Sequence, residues 1–451
     1  MPRAGFYIFS YEAWMSEKIL VIGATDIGRR ACAALQDLDV EVLHLASPQD
    51  SELHEILTQN ITGVAIMLHN DIEALRYSLT IEHIRPGIRL FVAIFDRSVR
   101  HEMERTVPNC SIASPAYIAG SSIIASAILS QDAIKRTGPA ANLSWEILDI
   151  EDEKVSKSPF KIPNKWKIQR FSALFQGQFR SYDLASRAML TGLFALLAML
   201  LTDAVILQRH MSVFQAFYSS AAIIAGVTAP EMPIESWQFL QSGIFMLLTI
   251  IFIAMFGAGV VNHILNGRRV GIVGRRVIPR NNHVVIVGLG QVGIRLCKEL
   301  TLLKIPVVAI EQDEHARGVL LARDLNVPVI IGNASDIRTL KRACVGTAKA
   351  LLAMASAEQD NISVAVSART KFPKALIIMR AGTNDAIEET RSLFSIGEVA
   401  DVNGLTAAYV AQALLESEPR VIVPKENSLA LIDENYALKI FSTPGRCSCS
   451  A

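Results

Sequence analysis

The sequence predicts two Rossmann-like α/β domains, each a doubly wound parallel sheet, flanking an α-helical membrane domain of two transmembrane helices and a re-entrant segment. Three observations predict it. A strand, glycine turn and amphipathic helix occur in that order twice, at KILVIGATDIGRRACAAL and at HVVIVGLGQVGIRLCKEL. Between them, Ala188 to Gln208 holds one charge, Asp203, and Phe239 to Val261 holds none. The chain has 451 residues and 51% hydrophobic content, length for about three domains and a composition leaning to the membrane class.

A net charge of +1 gives no nucleic-acid signature, so no nucleic-acid partner is expected. Cys32, Cys110, Cys297, Cys344, Cys447 and Cys449 lack CxxC spacing, and neither a metal site nor a disulfide framework is expected. The last two fall in STPGRCSCSA, which reads as a disordered or artefactual end. MPRAGFYIFSYEAW lacks the apolar core and cleavage site of a secretory signal.

The first domain is expected over 15–145. Gly23 opens its turn and Gly28 allows close helix packing, but Thr25 replaces the middle glycine that lets backbone approach a pyrophosphate. The next strand, VEVLHL, runs into His44, Leu45, Ala46 and Ser47 with no acid to hold a ribose. GVAIML and RLFVAIF read as buried parallel strands. The domain is expected to have lost tight nucleotide binding.

A basic linker follows over 150–187, with eight Lys or Arg from Lys154 to Arg187 among Phe160, Trp166, Phe171 and Phe175. That mixture suits a helix in the headgroup layer, or a solvated linker. The membrane domain is expected over 188–265, with spans at 188–208 and 239–261 and a re-entrant segment at 212–230. As a helix the second span would reach about 35 Å, enough for a hydrocarbon core of about 30 Å. Arg268, Arg269, Arg275, Arg276 and Arg280 follow it, in a basic linker over 266–280, whereas the connection between the spans holds only Arg209 of that type. The positive-inside bias therefore puts both soluble domains in the cytoplasm, at the inner (plasma) membrane. With both ends on one side, 212–230 enters and returns on the same face, which implies surrounding protein or a water-filled cavity. Asp203 either attracts cations or reaches the headgroups, and His263 reads as interfacial.

The second domain is expected over 281–425, before a tail at 426–451. Gly288, Gly290 and Gly293 stand in GxGxxG register, and PVVAIEQDE ends in Glu311, placed to accept both ribose hydroxyls and to disfavour a 2′-phosphate. NAD or NADH is the expected cofactor, with another nucleotide left open. NVPVIIGNASD supplies a further strand and polar loop, and ALLAMASAEQDN and KALIIMRAG continue the pattern. IRLFVAIFD parallels KALIIMRAG, and IASPAYIAGSSIIASAIL parallels VADVNGLTAAYVAQALL, so the two domains repeat each other.

Residues 281–416 look like the regulator-of-potassium-conductance (RCK) domain, also called the TrkA N-terminal domain. The resemblance implies a nucleotide along Gly288, Gly290, Gln291, Val292, Gly293, Glu311, Asn333, Ala334 and Asp336, with Arg380 a further candidate. The order span, re-entrant segment, span and basic linker resembles the two-transmembrane potassium-channel family. That implies a homotetramer in the lipid bilayer around a pore for a monovalent cation, with Ala225, Gly226, Val227 and Thr228 as pore-loop candidates. The departure lies in IAGVTAP, which has one glycine where the family carries TVGYG, so potassium selectivity does not carry over.

Three functions follow from these residues: a cation channel or transport protein regulated by nucleotide, a non-conducting regulatory subunit, and a membrane-anchored oxidoreductase. The last needs a proton donor beside a nicotinamide, and no YxxxK pair or substrate domain follows the glycine turn. No catalytic residues are assigned, and the chain is not expected to be an enzyme.

Overall fold

A computed structural model describes residues 17–94, 97–129, 131–137, 144–151, 154–163, 184–209, 211–225, 236–265, 278–381, 397–425, 428–445 and 447. They divide into two units, Met1–Gln176 with Pro279–Ala451, and Gly177–Ile278.

The first half of the larger unit runs β1 (Lys18–Ile22), α1 (Asp26–Gln36), β2 (Glu41–Leu45), α2 (Asp50–Leu57), β3 (Ile61–Ile66), α3 (Asp71–Ile84), β4 (Arg89–Ala93), α4 (Arg97–Thr106), β5 (Cys110–Ala113) and α5 (Pro115–Leu129). Its five strands form a parallel sheet in the order β2-β1-β3-β4-β5. Both faces are apolar, as a sheet covered by helices on both sides requires. Ile19, Val21, Ala65, Phe91 and Ala93 enter one core, and Leu20, Ile22, Val64, Leu90 and Val92 enter the other. The period of two sends alternate residues to opposite faces, so a run of apolar residues supplies both cores.

Next come β6 (Ala133–Thr137), β7 (Ser144–Glu151) and β8 (Lys154–Phe160), an antiparallel sheet. The basic stretch expected as a headgroup-layer helix or solvated linker therefore begins as a strand. Its Phe160 sits opposite Trp145, and the Lys157 ammonium lies 3.9 Å from the centroid of the Tyr436 ring. Cross-strand pairing and a cation on an aromatic face outweigh the weak helical signal there. Trp166, Phe171, Phe175 and Arg187's side chain fall outside the described residues.

The smaller unit is three helices, α6 (Leu184–Leu207), α7 (Val213–Ile224) and α8 (Ser236–Leu265). A Cβ on Gly192 of α6 would stand 2.8 Å from the Phe252 carbonyl oxygen of α8, so the helices cross too closely for any side chain there. Asp203, Ser220 and Thr249, one from each helix, are buried, whereas Phe194, Leu201, Phe214, Leu247 and Ile250 are exposed. Asp203 is thus turned in among the helices. Among the described residues, no helix is long and apolar enough to cross a membrane. The described side chains of α6 begin at 191 and those of α8 at 240. Ala225 is an exposed turn residue at the end of α7, and Gly226, Val227 and Thr228 lie outside the described residues.

The second half of the larger unit runs β9 (Val284–Val287), α9 (Gln291–Leu302), β10 (Val307–Glu311), α10 (Arg317–Asp324), β11 (Val329–Ile331), α11 (Ile337–Arg342), β12 (Ala350–Ala353), α12 (Glu358–Lys371), β13 (Ile377–Ala381), β14 (Glu398–Asp401) and α13 (Val402–Leu415). The parallel sheet has the order β11-β10-β9-β12-β13-β14. The chain continues into β15 (Val421–Pro424), β16 (Ser428–Ile432) and β17 (Leu438–Ser442), again antiparallel. The stretch expected as a tail therefore contains two strands, at 428–432 and 438–442. Its runs of about five residues are too short for periodicity to separate from loop.

The two halves interlock. Helix α13 follows the last strand of the second sheet yet lies on α1, β3 and β4 of the first, while α5 lies on α9 of the second. The Phe91 and Tyr409 rings meet edge to face at 6.0 Å, Gly63 lies under Leu414, and Arg89 donates to the Leu414 carbonyl. One hydrophobic core runs through both Rossmann-like domains. The two small sheets also share a core, made of Ala133, Leu148, Val421, Val423, Ala430 and Ile432.

Candidate functional site

The second glycine turn sits at the carboxyl edge of its sheet, where strand order leaves β9 for β10 on one side and β12 on the other. In parallel α/β sheets this switch point forms a crevice. Gly288 follows β9 with φ +85°, and a Cβ there would stand 2.8 Å from the backbone nitrogen and Cα of Ala355. Only glycine fits that close pass, and φ in the left-handed region favours it too. Gly293 lies in the first turn of α9, where a Cβ would fall 1.9 Å from the Gly288 carbonyl oxygen, so glycine lets the helix pack back on the turn. Gly290 differs. It caps α9, and the atom nearest a Cβ there is the Ser356 hydroxyl at 3.8 Å. Its glycine is not demanded by protein packing, and it leaves the space in which a ligand's backbone contact needs no side chain.

Gln291 and Val292 open α9, whose first turn carries no acid. The unpaired amides of such a turn, with the helix dipole, favour an anion. Val292 is buried and Gln291 exposed, so Val292 anchors the helix while Gln291 faces outward.

Glu311 ends β10 beside this turn. One carboxylate oxygen accepts from the Leu289 N–H at 2.7 Å, and the other accepts from Gln312 N–H at 2.8 Å and Asp313 N–H at 3.4 Å. The carboxylate is thereby fixed against the glycine turn, with further lone pairs available to hydroxyl donors. Gly332, just after β11, donates its N–H to the Glu311 carbonyl at 2.9 Å and brings the polar loop to the same edge. In that loop Asn333 Oδ1 accepts from Ser335 N–H at 2.8 Å, Ala334 is buried, and Asp336 caps α11 by accepting from Arg338 N–H at 2.8 Å. That backbone hydrogen bond holds the Asp336 carboxyl below its usual range. Arg380 lies in β13, paired with Ala400 of β14, and burial pushes its guanidinium pKa down.

Three contributors escaped the sequence reading. Asn361 is buried in the first turn of α12, accepts from Ala355 N–H at 2.8 Å, and donates to the carbonyls of Ala355 and Arg380 at 3.0 and 2.9 Å. It holds the loop that presses on Gly288. Gly318, at the start of α10, is required because a Cβ would stand 1.8 Å from the Leu289 carbonyl oxygen. Ser363 hydrogen-bonds Ser335 at 3.0 Å across the polar loop. Only Gly318 left a trace in sequence, as a glycine a few residues past the ribose acid.

The first glycine turn is built otherwise. Thr25 caps α1, accepts from Gly28 N–H at 3.1 Å and donates to the Met67 carbonyl at 2.7 Å, so its side chain occupies the turn that Gly290 leaves open. Ile22 is level with Leu45 as Val287 is level with Ile310, which puts Ala46 at the register position of Glu311. Among the described residues the first sheet also has no counterpart of β11, so the polar loop that this strand carries has no place in it.

Residues 284–399 match the TrkA-N domain. The chain is 25% identical over 198 residues to "Potassium channel protein 1" of Methanocaldococcus jannaschii, covering 42% of this chain and 60% of that protein. It is 32% identical over 106 residues to "Putative cation/proton antiporter YbaL" of Escherichia coli, covering 24% of this chain and 19% of that one. The chain thus spans less than two thirds of either relative, both named for ion transport. Among solved structures, the GsuK RCK domain aligns with 88% of this chain and 76% of its own at a TM-score of 0.49 and 12% identity.

Proposed function

We propose that the chain is a subunit of a potassium or other monovalent-cation channel, gated by NAD or NADH bound at the second glycine turn. The observation that carries the nucleotide half is the convergence at one sheet edge of Gly290, the open first turn of α9, and Glu311 fixed by Leu289. Gln291, Val292, Asn333, Ala334 and Asp336 complete the pocket, with Gly288 and Gly293 shaping it. A carboxylate at Glu311 disfavours a 2′-phosphate, which selects NAD over NADP. Thr25 and Ala46 leave the first domain without the same site.

The membrane half rests on α6 and α8. Phe194, Leu201, Leu247 and Ile250 are each more than half exposed, at 65%, 54%, 67% and 67%, an arrangement that water disfavours and lipid or neighbouring subunits would satisfy. Four copies would then surround a pore, with α7 and Ala225 to Thr228 facing it and both Rossmann-like domains in the cytoplasm. Nucleotide would act by binding one gating state more tightly than the other. A non-conducting regulatory subunit is the second reading, favoured by the single glycine of IAGVTAP.

Reconstituted flux of K⁺ and Na⁺ with and without NADH tests the reading. Flux that changes with NADH supports it, absence of flux with intact NADH binding points to the regulatory subunit, and absence of both overturns it.

A further inference from the structure

Away from the glycine crevice, three metal-ligating side chains from remote parts of the chain meet. Cys32 of α1, His44 of β2 and Cys447, beyond β17, place their ligand atoms within 4.8 Å of one another. Cys447 Sγ lies 3.6 Å from His44 Nδ1. An ion bound at about 2.3 Å to sulfur and 2.0 Å to nitrogen in tetrahedral geometry sets those two ligands about 3.5 Å apart.

The imidazole is held for that role. His44 is 7% exposed and Cys32 is 0% exposed. Nε2 of His44 lies 2.9 Å from the Gly23 carbonyl oxygen. A carbonyl only accepts, so Nε2 carries the hydrogen and Nδ1 keeps a lone pair on the side of the two sulfurs. A ligating histidine ordinarily donates its other N–H to such an acceptor, which fixes its tautomer and plane. Cys447 is held as well, its N–H donating to the Arg29 carbonyl of α1 at 3.3 Å. A thiol–imidazole hydrogen bond accounts for the Cys447 contact, and the buried Cys32 thiol puts a second sulfur within ligand reach of the same point.

We propose that Cys32, His44 and Cys447 bind a divalent ion of the zinc class, which fastens the end of the chain to the first Rossmann-like domain. Two thiolates and an imidazole suit a borderline-soft cation, and water or another donor takes the fourth position. Both cysteines bind as thiolates, so uptake releases protons and weakens as pH falls. The sequence offered no sign of this because the ligands lack close spacing, and β17 must first bring the end of the chain back to α1.

Zinc content of the full chain, purified in detergent under reducing conditions without chelator, tests the proposal alongside the absorption of the cobalt-loaded protein. Expected are about one zinc per chain and a cobalt–thiolate charge-transfer band. Cys447→Ser, at a half-exposed position outside the core, should keep the fold and weaken zinc affinity at least about tenfold. His44→Gln should do the same, and Cys344→Ser should change neither reading. A wild-type chain that binds no zinc, or a Cys447→Ser chain that binds it as tightly as wild type, overturns the proposal. So does a Cys32–Cys447 disulfide whose reduction leaves a protein without zinc affinity.

Discussion

The Arg30 guanidinium, wholly buried on α1 of the first Rossmann-like domain, meets the Asp401 carboxylate at the end of β14 of the second at 2.6 Å. Asp401 also caps α13 by accepting from Gly404 N–H at 2.9 Å, and Asp26 lies 3.4 Å from the same guanidinium. In the other half of the pseudo-symmetric pair, Arg295 holds the turn position of Arg30, pairs with Glu299 at 2.8 Å, and lies 5.1 Å from the Tyr117 ring centroid of α5.

Removing one member of a buried pair leaves an uncompensated charge, at a cost of about 3 to 5 kcal/mol. Arg30→Ala should therefore lower the melting temperature sharply, and Arg30→Met with Asp401→Asn should recover much of it. Thermal unfolding followed by circular dichroism reads both, and an Arg30→Ala chain as stable as wild type would refute the role given to the pair.

Two glycines of one turn should respond in opposite ways. Gly293→Ala collides with the Gly288 carbonyl and should destabilise the fold. Gly290→Ala meets nothing nearer than 3.8 Å, so it should leave melting unchanged while weakening NADH binding about tenfold or more. Calorimetric titration beside a melting curve separates the two effects.

Glu311→Gln keeps the shape but removes the charge that opposes a 2′-phosphate. NADH affinity should fall by about tenfold as hydrogen bonds to a charged group are lost, and the preference over NADPH should narrow. Competition between the two cofactors measures it, and an unchanged preference would count against Glu311 as the ribose ligand.

Lys135 of β6 donates to the Arg420 carbonyl at 2.6 Å, in a cleft that Tyr117, Trp145 and Tyr409 help to line. Burial, then the nearby Arg420 charge, pushes its pKa down to about 8 from an ordinary 10.5. Between those values the unfolded chain binds more protons than the folded one, so stability should rise with pH there, while below about 8 the full penalty of the buried charge is present. Lys135→Met should flatten that slope in chemical denaturation measured across the interval between the two values, from about 8 to 10.5.

The Rossmann-like class was legible because strand, glycine turn and helix are contiguous, and the spacing from Gly288 to Glu311 is local. Gly288, Gly293 and Glu311 lie together at one edge for the same reason. Asn361 was not legible, since its partners belong to the end of β12 and to β13, and an asparagine in a helical turn resembles any surface residue. Nor was the helix exchange, because α5 and α13 read as ordinary buried helices whichever sheet they cover. The strands at 428–432 and 438–442 were lost among short polar-apolar runs. Thr25 and Ala46 did show that the first turn departs from the second, but the missing edge strand needed the sheet order.

The exchange of α5 and α13 also sets an order of assembly. During synthesis α5 leaves the ribosome with its partner α9 unmade, and β3 and β4 wait for α13, which follows the whole of the second sheet. The three apolar helices of the smaller unit emerge in between. The amino-terminal half must therefore stay incomplete, with apolar surface uncovered, until the second sheet and α13 have been made. Truncation anywhere before α13 should yield an aggregating chain rather than a smaller working one.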